Sequence, residues 1–521
     1  MASRTENSMR NTAVALLGQL STIVLSFVTR TIFINSLGAS YLGINGLFTN
    51  ILSVLSFAEL GFGTAIVYAL YKPLAEKDEK KISALMNFYA KIYRTIGIFI
   101  FVAGTCLIPK LEFFIGDTSE IPSELPPLWI VYILYLLNSS VSYFFNYKRS
   151  LVTASQNGHI DSLNTLAFNV LRNVLQIVVL LCWHAFIPYL VIQIVCTLLG
   201  NIFISIKADK LFPYLKVYRK EKLDGGSVRT IIKNVMAMAC HKLGSVIVSG
   251  TDNILISKFV GVLATGYYSN YTLLTSTVRT FYIQLFSPIT ASVGNYVAEK
   301  NKEETYVFFE KLFFVNAYIA IFCTSCLATL VNPFIQILWG EKYVFNALIV
   351  AFIMLNFFLT CMRQTTCMFI DTNGLFWQVK WKSVIEAAVN LVASIFLAKV
   401  LHLGILGIIV GTTISTVCTN VWWEPYVVYK YAFSHKLVDY FIIYTKYAIT
   451  GLLSVMITLL IESVLPNSVV FFIMRCLISA VIPNIIMFIL FRKTSEYRYV
   501  IELADQIIKK LCKNRIGLIR K

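Results

Sequence analysis

Four basic side chains fall inside long apolar runs, where an ionised group is costly unless it faces water, a partner or a ligand: Arg30, Arg172, Lys242 and Arg279. Counted from the ends of their runs, Arg172, Lys242 and Arg279 lie near the middle and Arg30 nearer one end. Two acids share the situation, Glu59 near the middle of its run and Asp252 near an end, and Glu386 lies at the start of another. Mid-run cations therefore outnumber mid-run acids. A cavity with that balance attracts an anion, and the arginine fork suits phosphate oxygens in particular. Glu59 and Asp252 have the chemistry to exchange a proton or to hold a small cation such as Na+. For each of these residues the competing expectation is an internal salt bridge. Arg475, near the end of its run, is expected to snorkel outwards.

Other candidate chemistry is sparse. Cys323-x2-Cys326 has redox or metal spacing but sits mid-run without a second pair, so both read as small hydrophobes. The five histidines are scattered, and no nucleotide-binding glycine loop or nucleophile–base spacing is visible. A non-enzyme without metal or cofactor is the expectation. Tyr267-Tyr268 and Trp422-Trp423 could stack on sugar faces, although aromatic residues also collect at bilayer interfaces, which is the reading adopted here.

The elements that position these residues are helices crossing a membrane. Of 521 residues 57% are hydrophobic and only 14% charged, with a mean hydropathy of +0.71. A soluble domain carries roughly a quarter charged residues. Apolar runs of the ~20 residues a bilayer requires recur throughout. The expected fold is all-α and polytopic, with fourteen spans near 11–34, 44–70, 88–108, 128–147, 162–185, 187–206, 231–257, 267–292, 312–338, 345–370, 382–402, 404–430, 438–461 and 468–491.

An internal repeat organises them. At an offset of 223, Arg10-Asn11 falls on Lys233-Asn234, Gly38 and Gly43 fall on Gly261 and Gly266, and Ala75-Glu76-Lys77 falls on Ala298-Glu299-Lys300. Each copy reads as a helix, a glycine break and a second helix, the pattern of transporters built from facing halves. The implied division is a first lobe over 1–206, a basic linker over 207–230, a second lobe over 231–430, two further spans over 431–491 and a basic tail over 492–521. The tail alternates basic and apolar residues and could lie on anionic lipid as an amphipathic helix, or simply be solvated.

The formal net charge of +18 follows topology and does not indicate nucleic acid. Counted over the N-terminus, 71–94, 148–161, 207–233, 299–311, 362–382, 430–446 and the tail from Arg492, stretches that take in the inner ends of the spans, 36 of the 45 Lys and Arg fall on one side, and only Lys110, Lys258, Lys342 and Lys399 fall on the other. The rule that basic loops stay inside puts both termini in the cytoplasm.

Several stretches carry a family resemblance: Arg10-Asn11-Thr12-Ala13, Leu37-Gly38-Ala39-Ser40-Tyr41-Leu42-Gly43, Glu59-Leu60-Gly61-Phe62-Gly63 and Thr251-Asp252-Asn253-Ile254-Leu255-Ile256. With the repeat, they make the chain resemble the polysaccharide-biosynthesis flippases of O-antigen and capsule, within the multidrug/oligosaccharidyl-lipid/polysaccharide exporter superfamily. The resemblance implies alternating access in the bacterial cytoplasmic membrane, a cavity lined by the first, second, seventh and eighth spans, and a polyprenyl-pyrophosphate-linked glycan as substrate. A glycan polymerase is the partner such a role implies. Arg30, Lys242 and Arg279 lie on those spans. A lipid-linked peptidoglycan precursor flippase and a cation-coupled drug exporter share the fold. A membrane glycosyltransferase or polymerase is the reading from another class, and it would be expected to present a larger outer loop.

Overall fold

The computed structural model describes residues 4–502, apart from 60–61, 116–120, 123, 156, 434 and 467, and for most of 4–20 and 236–249 it describes the backbone alone. Within those residues every regular element is helical. The chain is an all-α polytopic membrane protein. Ten described helical segments are long and apolar enough to cross a bilayer, and two shorter apolar helices, Ser21–Leu37 and Ala39–Leu55, accompany them. The end of the basic tail, 503–521, lies outside the described residues.

Cα packing divides the chain into two units, Met1–Ser269 and Asn270–Lys521. The first holds α1 (Arg4–Leu37), α2 (Ala39–Leu55), a 3-10 turn over Ser56–Glu59, α3 (Phe62–Glu76), α4 (Glu79–Thr105), α5 (Leu128–Ala154), α6 (Gly158–Trp183), α7 (Phe186–Leu211), the short α8 (Tyr214–Val217) and α9 (Gly225–Phe259). Next, α10 (Val262–Glu299) runs through the boundary, which falls one long helix after the basic linker. The second unit continues with α11 (Lys302–Trp339), α12 (Ala347–Met362), α13 (Gln364–Thr372), α14 (Lys382–Ile395), α15 (Gly404–Cys418), α16 (Asn420–Tyr431), α17 (Leu437–Glu462) and α18 (Val469–Phe491).

The offset of 223 reappears in the helix boundaries. Helices start at Ala39 and Val262, stop at Glu76 and Glu299, and start again at Glu79 and Lys302. The caps coincide as well. Asp78 Oδ1 accepts from the Lys81 amide at 3.0 Å, and Asn301 Oδ1 accepts from the Glu304 amide at 2.9 Å. Each satisfies an amide that a helix start leaves without a partner. Asp78→Ala and Asn301→Ala should each cost about 1 kcal/mol, read as a small, similar fall in the melting temperature of the purified protein.

The break ahead of Ala39 and Val262 is made by Gly38 at φ 91° and Gly261 at φ 133°, backbone angles that side chains disfavour. Behind it the two copies touch. A Cβ on Gly43 would lie 1.9 Å from the Val262 carbonyl oxygen, and one on Gly266 would lie 2.4 Å from the Ala39 carbonyl oxygen. Gly43 is equivalent to Gly266, and Ala39 to Val262. The contact is thus reciprocal, as a twofold relation between α2 and α10 requires. In lipid, where apolar surface gives little drive for helices to associate, such backbone approach is a main source of packing energy.

Aromatic side chains fill both interiors. In the first unit Phe48, fully buried on α2, meets the rings of Tyr132 and Tyr135 at 5.2 and 5.9 Å. In the second, Phe309 and Phe313, one turn apart on α11, pack against Phe369, Phe433 and Tyr440 at 5.1 Å each. Much of the aromatic content is therefore core. Trp422 is exposed and stacks on Trp423, which fits the interfacial expectation for that pair.

Candidate functional site: charged groups within the spans

In the first unit Arg30 and Arg172 are brought together. α1 packs along α6, and their neighbours Thr29 and Asn173 join the helices directly, the threonine hydroxyl donating to Asn173 Oδ1 at 2.8 Å. The Tyr189 hydroxyl on α7 lies within electrostatic reach of both arginines. Arg30 also donates to Ser269 Oγ on α10 at 2.5 Å. Its repeat equivalent, Asn253, is buried beside Gly46, which is the equivalent of Ser269. The same inter-helix position is therefore polar in both directions. Asp252 is buried on α9 and lies within electrostatic reach of the Tyr268 hydroxyl. Lys242 is on α9, with its side chain outside the described residues.

Glu59 stands where the second span is interrupted, at the last residue of the 3-10 turn between α2 and α3. The Tyr93 hydroxyl of α4 lies 3.4 Å from its Oε1, and the Tyr143 hydroxyl of α5 also reaches it. The other copy preserves the contact with different atoms. Tyr282, equivalent to Glu59, donates to the side-chain oxygen of Asn316, which is equivalent to Tyr93, and to the Cys361 carbonyl at 3.1 Å. There α10 runs on without a break.

Arg279 lies midway along α10 in the second unit, with an exposed side chain. Arg363, Cys361 and Cys367 are within its electrostatic reach. Arg363 in turn belongs to a buried ionic group absent from the candidates read in the sequence. Its Nε and Nη2 donate to Glu424 at 2.8 and 2.6 Å, the two-point geometry of a guanidinium on a carboxylate, and Lys382 Nζ reaches Glu424 Oε1 at 2.5 Å. Position in the sequence hid it. Arg363 and Lys382, at the inner ends of the spans expected over 345–370 and 382–402, count with the basic residues of the inside face, whereas Lys382 is buried. An acid inside the apolar run at Glu424, beside Pro425, was the available signal.

Comparison with known proteins identifies the family of the chain. The family described as polysaccharide biosynthesis protein matches residues 8–293, more than half of the chain. The chain belongs to that family. Among solved structures, a lipid II flippase MurJ in an inward closed conformation aligns at TM-score 0.60 and 16% identity, covering 92% of this chain and 98% of that one. An inward-facing multidrug resistance MATE family transporter of the MOP superfamily aligns at 0.58 and 14% identity, covering 80% and 98%. A variant of the Vibrio cholerae MATE transporter VcmN aligns at 0.56 and 14% identity, covering 83% and 99%. At these identities the likeness is one of fold. No curated protein matches the sequence.

For this polysaccharide biosynthesis protein, two other charged positions are tied into the structure. Arg475 has partners at the span end: it donates to the Leu465 carbonyl, in the turn between α17 and α18, at 2.6 Å and pairs with buried Glu462 at 3.6 Å. Burying a cation needs such partners, and here the end of α17 supplies them. Glu386 is buried and accepts from Asn420. The linker is held too. Asn87 Nδ2 of α4 donates to the carbonyls of Tyr218 and Glu221 at 3.1 Å each. After it, the Asp224 carboxylate caps α9 through Ser227, whose hydrogen bonds hold that carboxyl below its usual range.

Proposed function

We propose that this protein is a flippase that moves polyprenyl-pyrophosphate-linked oligosaccharide repeat units across the bacterial cytoplasmic membrane by alternating access. Its two lobes are 1–206 and 231–430 in a fourteen-span chain with both termini in the cytoplasm. The observation that supports this reading best is an excess of cations in the membrane region of a polysaccharide biosynthesis protein. Arg30 and Arg172 are both within electrostatic reach of Tyr189, and Arg279 is within electrostatic reach of Arg363. An exposed arginine midway along a membrane helix is costly against hydrocarbon and is relieved by water or an anion. Arg30, Arg172, Lys242 and Arg279 are the residues proposed to meet the anionic part of the substrate. The runner-up, a flippase for a peptidoglycan precursor, shares the carrier chemistry, since the MurJ whose fold aligns is a lipid II flippase.

The test is reconstitution. Vesicles containing the purified protein should carry a fluorescent polyprenyl-pyrophosphate saccharide to the opposite leaflet faster than protein-free vesicles. Equal rates for saccharide carriers, together with efflux of cationic dyes, would replace this reading with a drug exporter.

Glu59 and Asp252 are proposed to couple transport to H+ or Na+. Glu59 is poised by two tyrosine hydroxyls at a helix interruption, where a change of charge can alter local geometry. Glu59→Gln and Asp252→Asn should each remove the dependence of transport on the ion gradient at unchanged membrane abundance. Transport retaining its full ion dependence in either variant would take that residue out of the mechanism.

A further inference from the structure

The ionic group around Glu424 has the build of an anion site that is occupied by the protein's own carboxylate. Its residues come from two interrupted spans and one helix start: Arg363 between α12 and α13, Glu424 on α16 just after the interruption at Thr419, and Lys382 at the first position of α14. Discontinuous helices in membrane proteins recur where ligands bind. Glu424 is 1% exposed and Lys382 5%, while the Arg363 side chain keeps 21% of its surface and lies within electrostatic reach of exposed Arg279. Arg363 is thus bonded to the buried carboxylate, keeps part of its surface exposed and lies within electrostatic reach of a second arginine.

We infer that Arg279, Arg363 and Lys382 form a binding site for a diphosphate diester, and that Glu424 competes with that diphosphate for the Arg363 fork. A carboxylate and a phosphate present the same pair of oxygens to a guanidinium, so one can take the place of the other. When Glu424 is ionised it fills both donors of Arg363 and the Lys382 ammonium. Displaced by phosphate, it would be a buried anion without partners, and it takes up a proton to avoid that cost. Diphosphate binding and proton uptake are then one event.

The other charged or titratable groups around Glu424 do not fill its place. Cys367, Asp371 and Tyr440 are within its electrostatic reach, and none of them bonds the Arg363 fork. Glu386 lies near Arg363 but accepts from Asn420. The inference rests on the reading of the substrate as a diphosphate-linked lipid and adds to it a residue that sets when the charged head is held. It also names Arg363 as the partner of Arg279, a residue absent from the candidates read in the sequence.

The probe is pyrophosphate carrying one methyl ester on each phosphate, whose two charges do not change between pH 6 and 8. Its affinity for the purified full chain in detergent is measured across that range. If one proton enters with each diphosphate, affinity falls about tenfold per pH unit as pH rises. Glu424→Gln should bind at least as tightly as the parent at every pH and lose the slope. Lys382→Gln covers the case in which Glu424→Gln does not fold. With one of its two cations gone, Glu424 protonates more readily, so the slope should begin at a higher pH. Arg279→Ala and Arg363→Ala should each weaken binding at least tenfold.

Diester binding that needs Arg279 but keeps the same affinity from pH 6 to 8 would overturn the competition by Glu424 and leave the functional reading intact. An unchanged slope in folded Glu424→Gln would do the same. No diester binding by the parent protein would remove the site and the diphosphate reading together. Inorganic phosphate competing as well as the diester would reassign the site to a free anion and overturn the inference.

Discussion

Replacing Gly43 with valine is expected to reduce export of glycan to background while the protein still reaches the membrane. The cause is steric. A Cβ at this position would lie 1.9 Å from the Val262 carbonyl oxygen and 2.7 Å from Val262 Cγ1. Ordinary contact needs about 3.5 Å, so the starts of α2 and α10 would have to separate by roughly 1.5 Å. Gly266→Val should act alike, through the Ala39 carbonyl at 2.4 Å. Gly46→Ala is the control one turn further along α2, because its Cβ would find its nearest neighbour at a comfortable 3.7 Å. Packing of α2 on α5 through Phe48 is untouched by these changes, so membrane abundance should stay near that of the parent. The measurement is outer-surface glycan in cells dependent on the variant, with abundance checked by blot. Export above half the parental level from a well-expressed Gly43→Val protein would mean that this close approach is not part of the working cycle.

The second large effect is expected at Arg279. Arg279→Ala should abolish export, and Arg279→Lys should retain part of it, since lysine keeps the charge and loses the two-point fork. The side chain is exposed midway along α10 and lies within electrostatic reach of a like charge at Arg363, a situation that an anion relieves. Attraction must stay moderate, because a head group held too firmly would not leave. By the same reasoning Lys242→Arg should be tolerated better than Lys242→Gln. Outer-surface glycan again reports the result. Near-normal glycan from a well-expressed Arg279→Ala, Lys242→Ala double variant would remove the anion site and return these cations to a purely structural role.

Helices and their order were legible in the sequence because a bilayer imposes one dominant requirement, a long apolar run with its backbone internally bonded. The repeat was legible for a different reason. Gly38, Gly43, Gly261 and Gly266 stand where backbone angle or backbone contact excludes other residues, so they keep the register when the surrounding apolar residues drift. What sequence could not supply was partnership. Arg475 looked like a cation near a span end, and only the fold reveals the Leu465 carbonyl and Glu462 waiting for it. Arg363 and Lys382, at the inner ends of their spans, were absorbed into the count of basic residues that located the inside face. Their shared carboxylate is 42 to 61 residues further along the chain, at Glu424. Pairing at that separation has no periodic signature.

The equivalence of Glu59–Tyr93 with Tyr282–Asn316 bears on how the two copies came to differ. A single ancestral unit would have carried one polar bridge between its second and third helices, and duplication would have supplied two. In one copy the bridge now includes a carboxyl group and an interrupted helix; in the other it is neutral, buried and set in a continuous helix. Only the first bridge includes a carboxyl group. Two copies that share a register thus differ at this bridge, and Tyr282→Glu would place a second carboxyl group at the equivalent position, in a helix that runs on without a break.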